Sequence, residues 1–436
     1  MSHGGGGDAE RHPLSFPQLR LLFLHELQGS STEYHIPEVF RLSGPVDVAA
    51  LERALGSLAE RHESLRTAFV LDGEEPAQIV QEAAGVPLAV EEPAAGSEEE
   101  ARRAAIAAAL AEEWDRPFDL AAGRLLRARL LRFGEQDHAL VVTTHHIASD
   151  GWSQRILRRE LGALYGAHRS GVDPELPPLS HRYVDFARWQ RDLVESDALQ
   201  PSIAYWTQAL GGLPEEGELS FRRPREATGP SRGLVLTTRI DPELTTALRQ
   251  LSRSSAATLY MTLLAAFALL LAREGGARDF AIATPIAGRQ RAEFEPVVGF
   301  FVNTLALRFA LGADATLAGV IDQTRASTLH AYEHQHVPFE RVVQELAPRR
   351  AFGRLPLVQV LFGLNDGRDD RPGFEGLDVE AVELATVRPR FDVEVHVFER
   401  PADLQVYWVC DEAVIPEDTA TALLHRYLDL LAAALR

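Results

Sequence analysis

The residues most able to do chemistry lie in Thr143-Thr144-His145-His146-Ile147-Ala148-Ser149-Asp150-Gly151-Trp152-Ser153. An imidazole accepts or donates a proton near neutral pH. A nearby carboxylate can fix the shape of a loop, and a glycine admits close approach to its backbone N–H. Such a set reads as an active-site turn. The same residues also fit a buried, hydrogen-bonded histidine pair with Asp150 as a helix cap. A metal centre is disfavoured: H-E-x-x-H is absent, Cys410 is the only cysteine, and no third ligand stands at a telling spacing. No metal is expected.

These residues need a strand before them and a helix after them. Leu125 to Phe133 and His138 to Thr144 are apolar runs of strand length separated by Gly134-Glu135-Gln136-Asp137, which predicts a hairpin delivering the histidines at its end. Ile156, Leu157, Leu161, Leu164 and Tyr165 share one face of a 3.6-residue period, with Ser153 as the expected N-cap. Arg155, Arg158 and Arg159 fall on the polar side of that helix, either as a solvated face or as a docking site for an acidic protein.

Further segments stand in a fixed order along the chain. They are Ser15-Phe16-Pro17-Gln18-Leu19-Arg20, Arg61-His62-Glu63-Ser64-Leu65-Arg66-Thr67-Ala68-Phe69 and Tyr183-Val184-Asp185-Phe186-Ala187-Arg188-Trp189, followed by Val298 to Leu305 and His334 to Glu340. Together with H-H-x-x-x-D-G, this series resembles the condensation domains of nonribosomal peptide synthetases, including their V-G-x-F-V-N-T and H-Q-D-x-P-F-E segments. The chain departs from the family at Pro17, Leu22 and His336, and Arg350 to Leu357 matches the last motif only in part. The stereochemical subtype is therefore left open.

The resemblance implies an α/β (α+β) fold of two chloramphenicol-acetyltransferase-like lobes arranged as a V, with the active site in a tunnel between them. The expected division is a flexible tail over residues 1–10, an N-terminal lobe over 11–175 and a C-terminal lobe over 176–436. Phosphopantetheine arms of carrier proteins would bring both substrates to His146, and no cofactor would be bound permanently. His146 would orient the nucleophile and accept its proton, while His145 supports the turn. The resemblance also suggests an ion pair between Asp150 and Arg66. The Gly151 N–H is a candidate donor to the developing oxyanion, or simply part of a tight turn. Asn365 stands where related enzymes place a polar residue facing the histidine, and an ordinary turn asparagine fits equally. Trp152 and Asn303 are candidates for substrate contact, with core packing and backbone satisfaction as their plain alternatives.

Composition narrows the field. The net charge of −19 argues against nucleic acid as a partner, and all 44 basic residues are arginine, so no lysine can form a Schiff base. There is no G-x-S-x-G elbow, and Cys410 lies in a strand pattern far from the histidines, which favours direct attack on the thioester over an acyl-enzyme. One cysteine and no signal peptide point to the cytoplasm, and the apolar stretch Ala256 to Ala272 is shorter than the ~20 residues that span a bilayer. It reads as a buried helix, with no membrane contact expected.

Asp47 precedes an expected helix with Val48, Leu51, Leu55 and Leu58 on one face, and Ser97 with Glu100 forms a capping box for another that reaches Glu113. Val358 to Leu364 reads as a strand, while Asp392 to Phe398 and Leu404 to Cys410 read as an antiparallel pair. A monomer is expected, either free-standing or excised from a larger synthetase, with a small-molecule acceptor as one option. The rival readings are a coenzyme-A-dependent O-acyltransferase of the same superfamily, a noncatalytic member that recruits partner proteins, and an epimerising relative.

Overall fold

The computed structural model describes residues 10–27, 32–71, 75–93, 99–214, 219–223, 232–347, 356–367, 371–384 and 386–434. The tail expected over residues 1–10, apart from Glu10, lies outside these residues, as do Ser97 of the capping box and Arg350 to Leu355 of the last motif.

Two compact units divide the chain, and the division is not a single cut near residue 175. The first unit takes residues 1–195 together with 287–302 and 369–383, and the second takes 196–286, 303–368 and 384–436. Pairing explains the returns. Strand Asp378–Ala381 adds antiparallel to His35–Ser43, and helix Tyr183–Glu195 is held by the Gln190 side chain, which accepts from the Phe16 N–H at 2.9 Å.

In the first unit a five-stranded sheet runs in the order Asp378–Ala381, His35–Ser43, Asp137–His145, Leu126–Arg132, Leu88–Glu91. The expected hairpin is present: Leu126–Arg132 pairs antiparallel with Asp137–His145, opposing Leu126 to Thr144. On its other side the histidine strand pairs with His35–Ser43, so that His35 stands opposite His145. Helices Val48–Arg61 and Gly151–Ser170 pack together, and Leu55, Leu58, Leu161 and Leu164 are buried in one core with Leu140 and Leu42. The first of these helices follows Asp47 as expected, and Asp47 caps it by accepting from the Ala50 N–H at 2.9 Å.

The second unit carries a seven-stranded mixed sheet. Val393–Glu399 and Leu404–Asp411 form the expected antiparallel pair, and Val360–Asp366 lies parallel to the former. The apolar stretch becomes helix Leu259–Gly275, buried along most of its length and capped by Thr258. Phe267 on this helix meets Phe362, Trp408 and Tyr427 from the sheet and from the last helix, Glu417–Ala433. Among the described residues no single helix is long and apolar enough to cross a membrane; one pair, Pro242–Ser254 with Leu259–Gly275, passes that test jointly but is bent by 99°. The mixed α/β class agrees with the sequence.

Candidate active site

The histidine strand ends at His145, a single 3₁₀ turn spans His146–Ala148, and helix Gly151–Ser170 follows. The cap of that helix is Asp150 and not Ser153: the Asp150 carboxylate accepts from the Ser153 N–H at 2.8 Å. An aspartate at the N-cap also faces the positive end of the helix dipole. Gly151 consequently occupies the first helical position, where a backbone N–H has no partner within the helix.

Hydrogen bonds fix the turn internally. The Gln154 amide donates to the Thr144 and Ser149 hydroxyls at 2.7 and 2.8 Å, and the His146 N–H donates to the Tyr34 carbonyl at 2.8 Å. His146 is half-buried, and its Nδ1 lies 2.8 Å from the Ser149 carbonyl oxygen. A carbonyl only accepts, so in the neutral ring Nδ1 carries the proton and Nε2 holds the basic lone pair. Strand, turn and helix thus select a tautomer.

His145 has the opposite arrangement. Its Nδ1 accepts from the Ile147 N–H at 3.1 Å, which places the ring proton on Nε2. It is fully buried, with the His25, His35 and Phe118 rings within 6.0 Å. Burial, with His35, His25, His146 and Arg127 adding to it, holds its pKa well below the ordinary histidine value. His145 is a neutral supporting residue.

Asp150 is wholly buried, and its partner is Arg289. Arg289 Nη1 donates to Oδ2 at 2.9 Å, and the Phe301 N–H donates to the same oxygen at 3.0 Å. Arg289 Nη2 reaches the Ser153 hydroxyl at 2.8 Å and the Val297 carbonyl at 3.1 Å. The Ser153 hydroxyl in turn donates to the Gly299 carbonyl and accepts from its N–H, at 2.9 and 3.1 Å. Asp150, Ser153 and Arg289 therefore clamp segment 297–301 against the histidine turn, and Arg289 lies over the Phe301 ring at 4.0 Å.

The expected Asp150–Arg66 pair does not form. Arg66 instead donates to the carbonyls of Ala59 and Glu60, both at 3.2 Å, and to that of Gln81. Ala59 and Glu60 lie in the last turn of helix Val48–Arg61, whose carbonyls lack partners within the helix, so a guanidinium is well used there. The neighbouring Arg61 and His62 both bind the Glu160 carboxylate at 2.8 Å, tying that segment to the histidine helix.

Other candidates are placed as follows. All four hydrogen-bonding positions of the Asn303 amide serve backbone: it donates to the carbonyls of Gln335 and Val337 and accepts from the N–H groups of Thr304 and Phe339, at 2.8–3.0 Å. It clamps a loop of the second unit and keeps no group for a substrate. Asn365 lies within strand Val360–Asp366, exposed, and not in a turn beyond it. Trp152 is 36% exposed and donates to the Glu295 carbonyl at 2.9 Å. The three arginines do not form one cationic face, because Arg158 pairs with Glu38 at 3.2 Å and Arg155 lies over the Trp152 ring, while Arg159 is 71% exposed. Cys410 is buried, and burial pushes its thiol up to about 12, which suppresses the thiolate a covalent route would need.

Buried histidines set an acid limit. Burial lowers the pKa values of His12, His62, His138 and His145 from 6.5; for His62 this holds despite the adjacent Glu160 carboxylate. The unfolded chain binds these protons near 6.5 and the folded chain does not, so stability present above that value is lost as pH falls through it. Glu38 acts in the opposite sense, since burial raises it to about 7 and it keeps a proton that the unfolded chain releases near 4.5. Burial lowers His336 as well, so five imidazoles outweigh one carboxyl. The midpoint of thermal unfolding is expected to fall as pH is lowered from 7.5 through 6.5 to 5.5, and a midpoint that rises would contradict this balance.

A mixed α/β unit that ends a strand on His145-His146 and opens a helix at Asp150-Gly151 has the motif arrangement of condensation domains. The chain belongs to that family, whose model, described as the condensation domain, matches residues 8–436. It is 38% identical over 423 residues to one component of the linear gramicidin synthase of Brevibacillus parabrevis, covering 97% of this chain and 5% of that protein. It is 42% identical over 357 residues to phosphinothricin tripeptide synthetase PhsC of Streptomyces viridochromogenes, covering 82% of this chain and 33% of that one. The chain thus spans between a twentieth and a third of the length of these curated relatives. Among solved structures, the X-domain in complex with OxyB from teicoplanin biosynthesis matches with a TM-score of 0.89 at 29% identity, covering 100% of this chain and 96% of that chain.

Sequence reasoning missed Arg289 and Ser149. Arg289 stands 139 positions from Asp150, where no local period could announce a partner. The nearest signal was the Val298–Thr304 segment beginning nine residues later, whose backbone Arg289 helps to hold.

Proposed function

We propose that the chain transfers an acyl or aminoacyl group from a carrier-protein thioester to an amine or alcohol, forming an amide or ester by direct attack. The observation that carries this reading is the His146 tautomer: Nδ1–H is held by the Ser149 carbonyl, leaving the Nε2 lone pair as the base. The nucleophile attacks the thioester carbonyl carbon while its proton passes to Nε2. Collapse of the tetrahedral intermediate breaks the C–S bond, and the proton goes on to the departing sulfur. Negative charge that develops on the carbonyl oxygen is met by the Gly151 N–H at the helix start. No acyl-enzyme is needed. Phosphopantetheine arms of carrier proteins deliver the substrates, and placing both reactants at one site is worth up to ~7–11 kcal/mol, more than the base itself supplies.

Gly151 offers a clean test of the oxyanion role. A Cβ built there meets nothing within 4 Å, and the residue shows no positive φ, so Gly151→Val is expected to fold with an unchanged thermal midpoint. Its side chain would occupy the approach to the N–H, and kcat/KM should fall ~10-fold or more by analogy with loss of an oxyanion donor. A folded variant with full activity would remove Gly151 from the mechanism.

The X-domain likeness favours a second reading, in which the chain recruits a partner protein and His146 does nothing. The deciding experiment offers the protein an acyl group on a carrier protein, with amine and alcohol acceptors in turn, and follows product by intact mass. Product from the carrier-bound donor supports condensation, and the acceptor used separates amide from ester. Turnover of acyl-coenzyme A alone would favour the O-acyltransferase, and no product from any donor would favour recruitment.

A further inference from the structure

Phe300 packs its ring on the His146 imidazole, with centroids 4.6 Å apart and planes tilted by 59°. Phe300 is 3% exposed, and hydrogen bonds hold the backbone on both sides of it. Gly299 before it is held through both its N–H and its carbonyl by Ser153, and the Phe301 N–H after it is held by Asp150. Its own carbonyl accepts from the Tyr183 hydroxyl at 2.5 Å. That bond uses the Tyr183 proton, so the Ser15 hydroxyl, 2.8 Å away, donates to Tyr183. Ser15 is fixed in turn by Gln18, whose side-chain oxygen accepts from the Ser15 N–H at 3.0 Å. Gly299 lies flat against the Tyr183 ring, and a Cβ there would sit 1.9 Å from Tyr183 Cδ2. Residues from the Ser15–Arg20, Tyr183–Trp189 and Val298–Leu305 segments therefore converge on the backbone at Gly299–Phe300, and the Phe300 side chain that this backbone carries rests on the histidine.

From this convergence we infer that Phe300, anchored by Tyr183, is a positioning residue that sets the direction of His146 Nε2, an inference that rests on the proposed proton-accepting role of His146. The Nδ1 bond to Ser149 holds one edge of the imidazole, and the Phe300 ring packed on it restricts rotation of the imidazole about that bond. Phe300 also occupies the open position of the family's V-G-x-F-V-N-T pattern, so the contact belongs to this chain's own side chain. Misdirecting a reacting group by about 1 Å costs up to ~10²-fold in rate, and a cost confined to proton transfer falls on kcat.

The test compares the full-length Phe300→Leu and Tyr183→Phe variants with wild type, reading kcat and KM for carrier-bound thioester and the histidine ring signals by NMR. The His146 signal is identified as the one missing in His146→Ala. Phe300→Leu is expected to lower kcat about 10- to 100-fold at unchanged KM and to shift the His146 signal while the other histidines stay in place. Tyr183→Phe, which keeps the ring and loses both hydrogen bonds, should change the same two readouts by less. A folded Phe300→Leu protein with an unmoved His146 signal, or with full kcat, would overturn the inference, as would a general shift of all the histidine signals. If wild type turns over no thioester, the proposed reaction fails, and the His146 signal alone then decides whether Phe300 positions the ring.

Discussion

Arg289→Ala is expected to destabilise the protein by about 3–5 kcal/mol, because it leaves the Asp150 carboxylate buried with its charge unpaired. At ~2–4 °C per kcal/mol for a body of this size, the thermal midpoint should fall by roughly 10 °C. Arg289 also bridges Ser153 and Val297, so its loss releases the segment that carries Gly299 and Phe301 as well as a charge. Removing both charges, in Asp150→Asn with Arg289→Met, should recover part of the loss, since the largest cost is the orphaned ion rather than the missing attraction. Arg66→Ala is the control. It removes hydrogen bonds to helix-end carbonyls that water can reach in part, and it should cost less. An Arg66 variant less stable than the Arg289 variant would restore the pairing that the resemblance suggested.

The second large effect is chemical. His146→Ala is expected to lower kcat by ~10²- to 10⁴-fold, the range for loss of a general base, with the thermal midpoint nearly unchanged. The ring is half-buried, and the turn keeps its main-chain bonds to Tyr34 and Ser149 without it. His145→Ala should behave in the reverse way. It removes a wholly buried ring packed among His25, His35 and Phe118, so stability falls first and activity follows. Adjacent residues on one strand end would then show separate phenotypes, one catalytic and one structural. Equal losses of stability in the two variants would show that both histidines merely fill the core.

Local pattern made much of the histidine turn legible. Apolar runs of strand length and the Gly134–Asp137 break predicted the hairpin, and the 3.6-residue period predicted the helix after it. The sequence offered both Asp150 and Ser153 as the cap, because both residue types cap helices, and the choice of Asp150 depends on where the chain leaves the 3₁₀ turn. What sequence could not supply was the partner of Asp150. Arg289 is brought there by the return of 287–302 to the first unit, a tertiary event with no local period. Return of 369–383 as an edge strand likewise defeated a division of the chain at one connector. Asn303 and Arg158 show a different failure: both are polar residues of plausible function whose side chains turn out to be committed to backbone carbonyls and N–H groups, or to Glu38.

The most direct test of the account is the single-turnover rate of acyl transfer from a carrier-bound thioester, measured side by side for wild type and His146→Ala proteins of matched thermal midpoint. The account predicts product from wild type and a rate ~10²- to 10⁴-fold lower in the variant, with the same donor bound in both. Equal rates in the two proteins would contradict the proton-accepting role of His146 on which the proposed function stands.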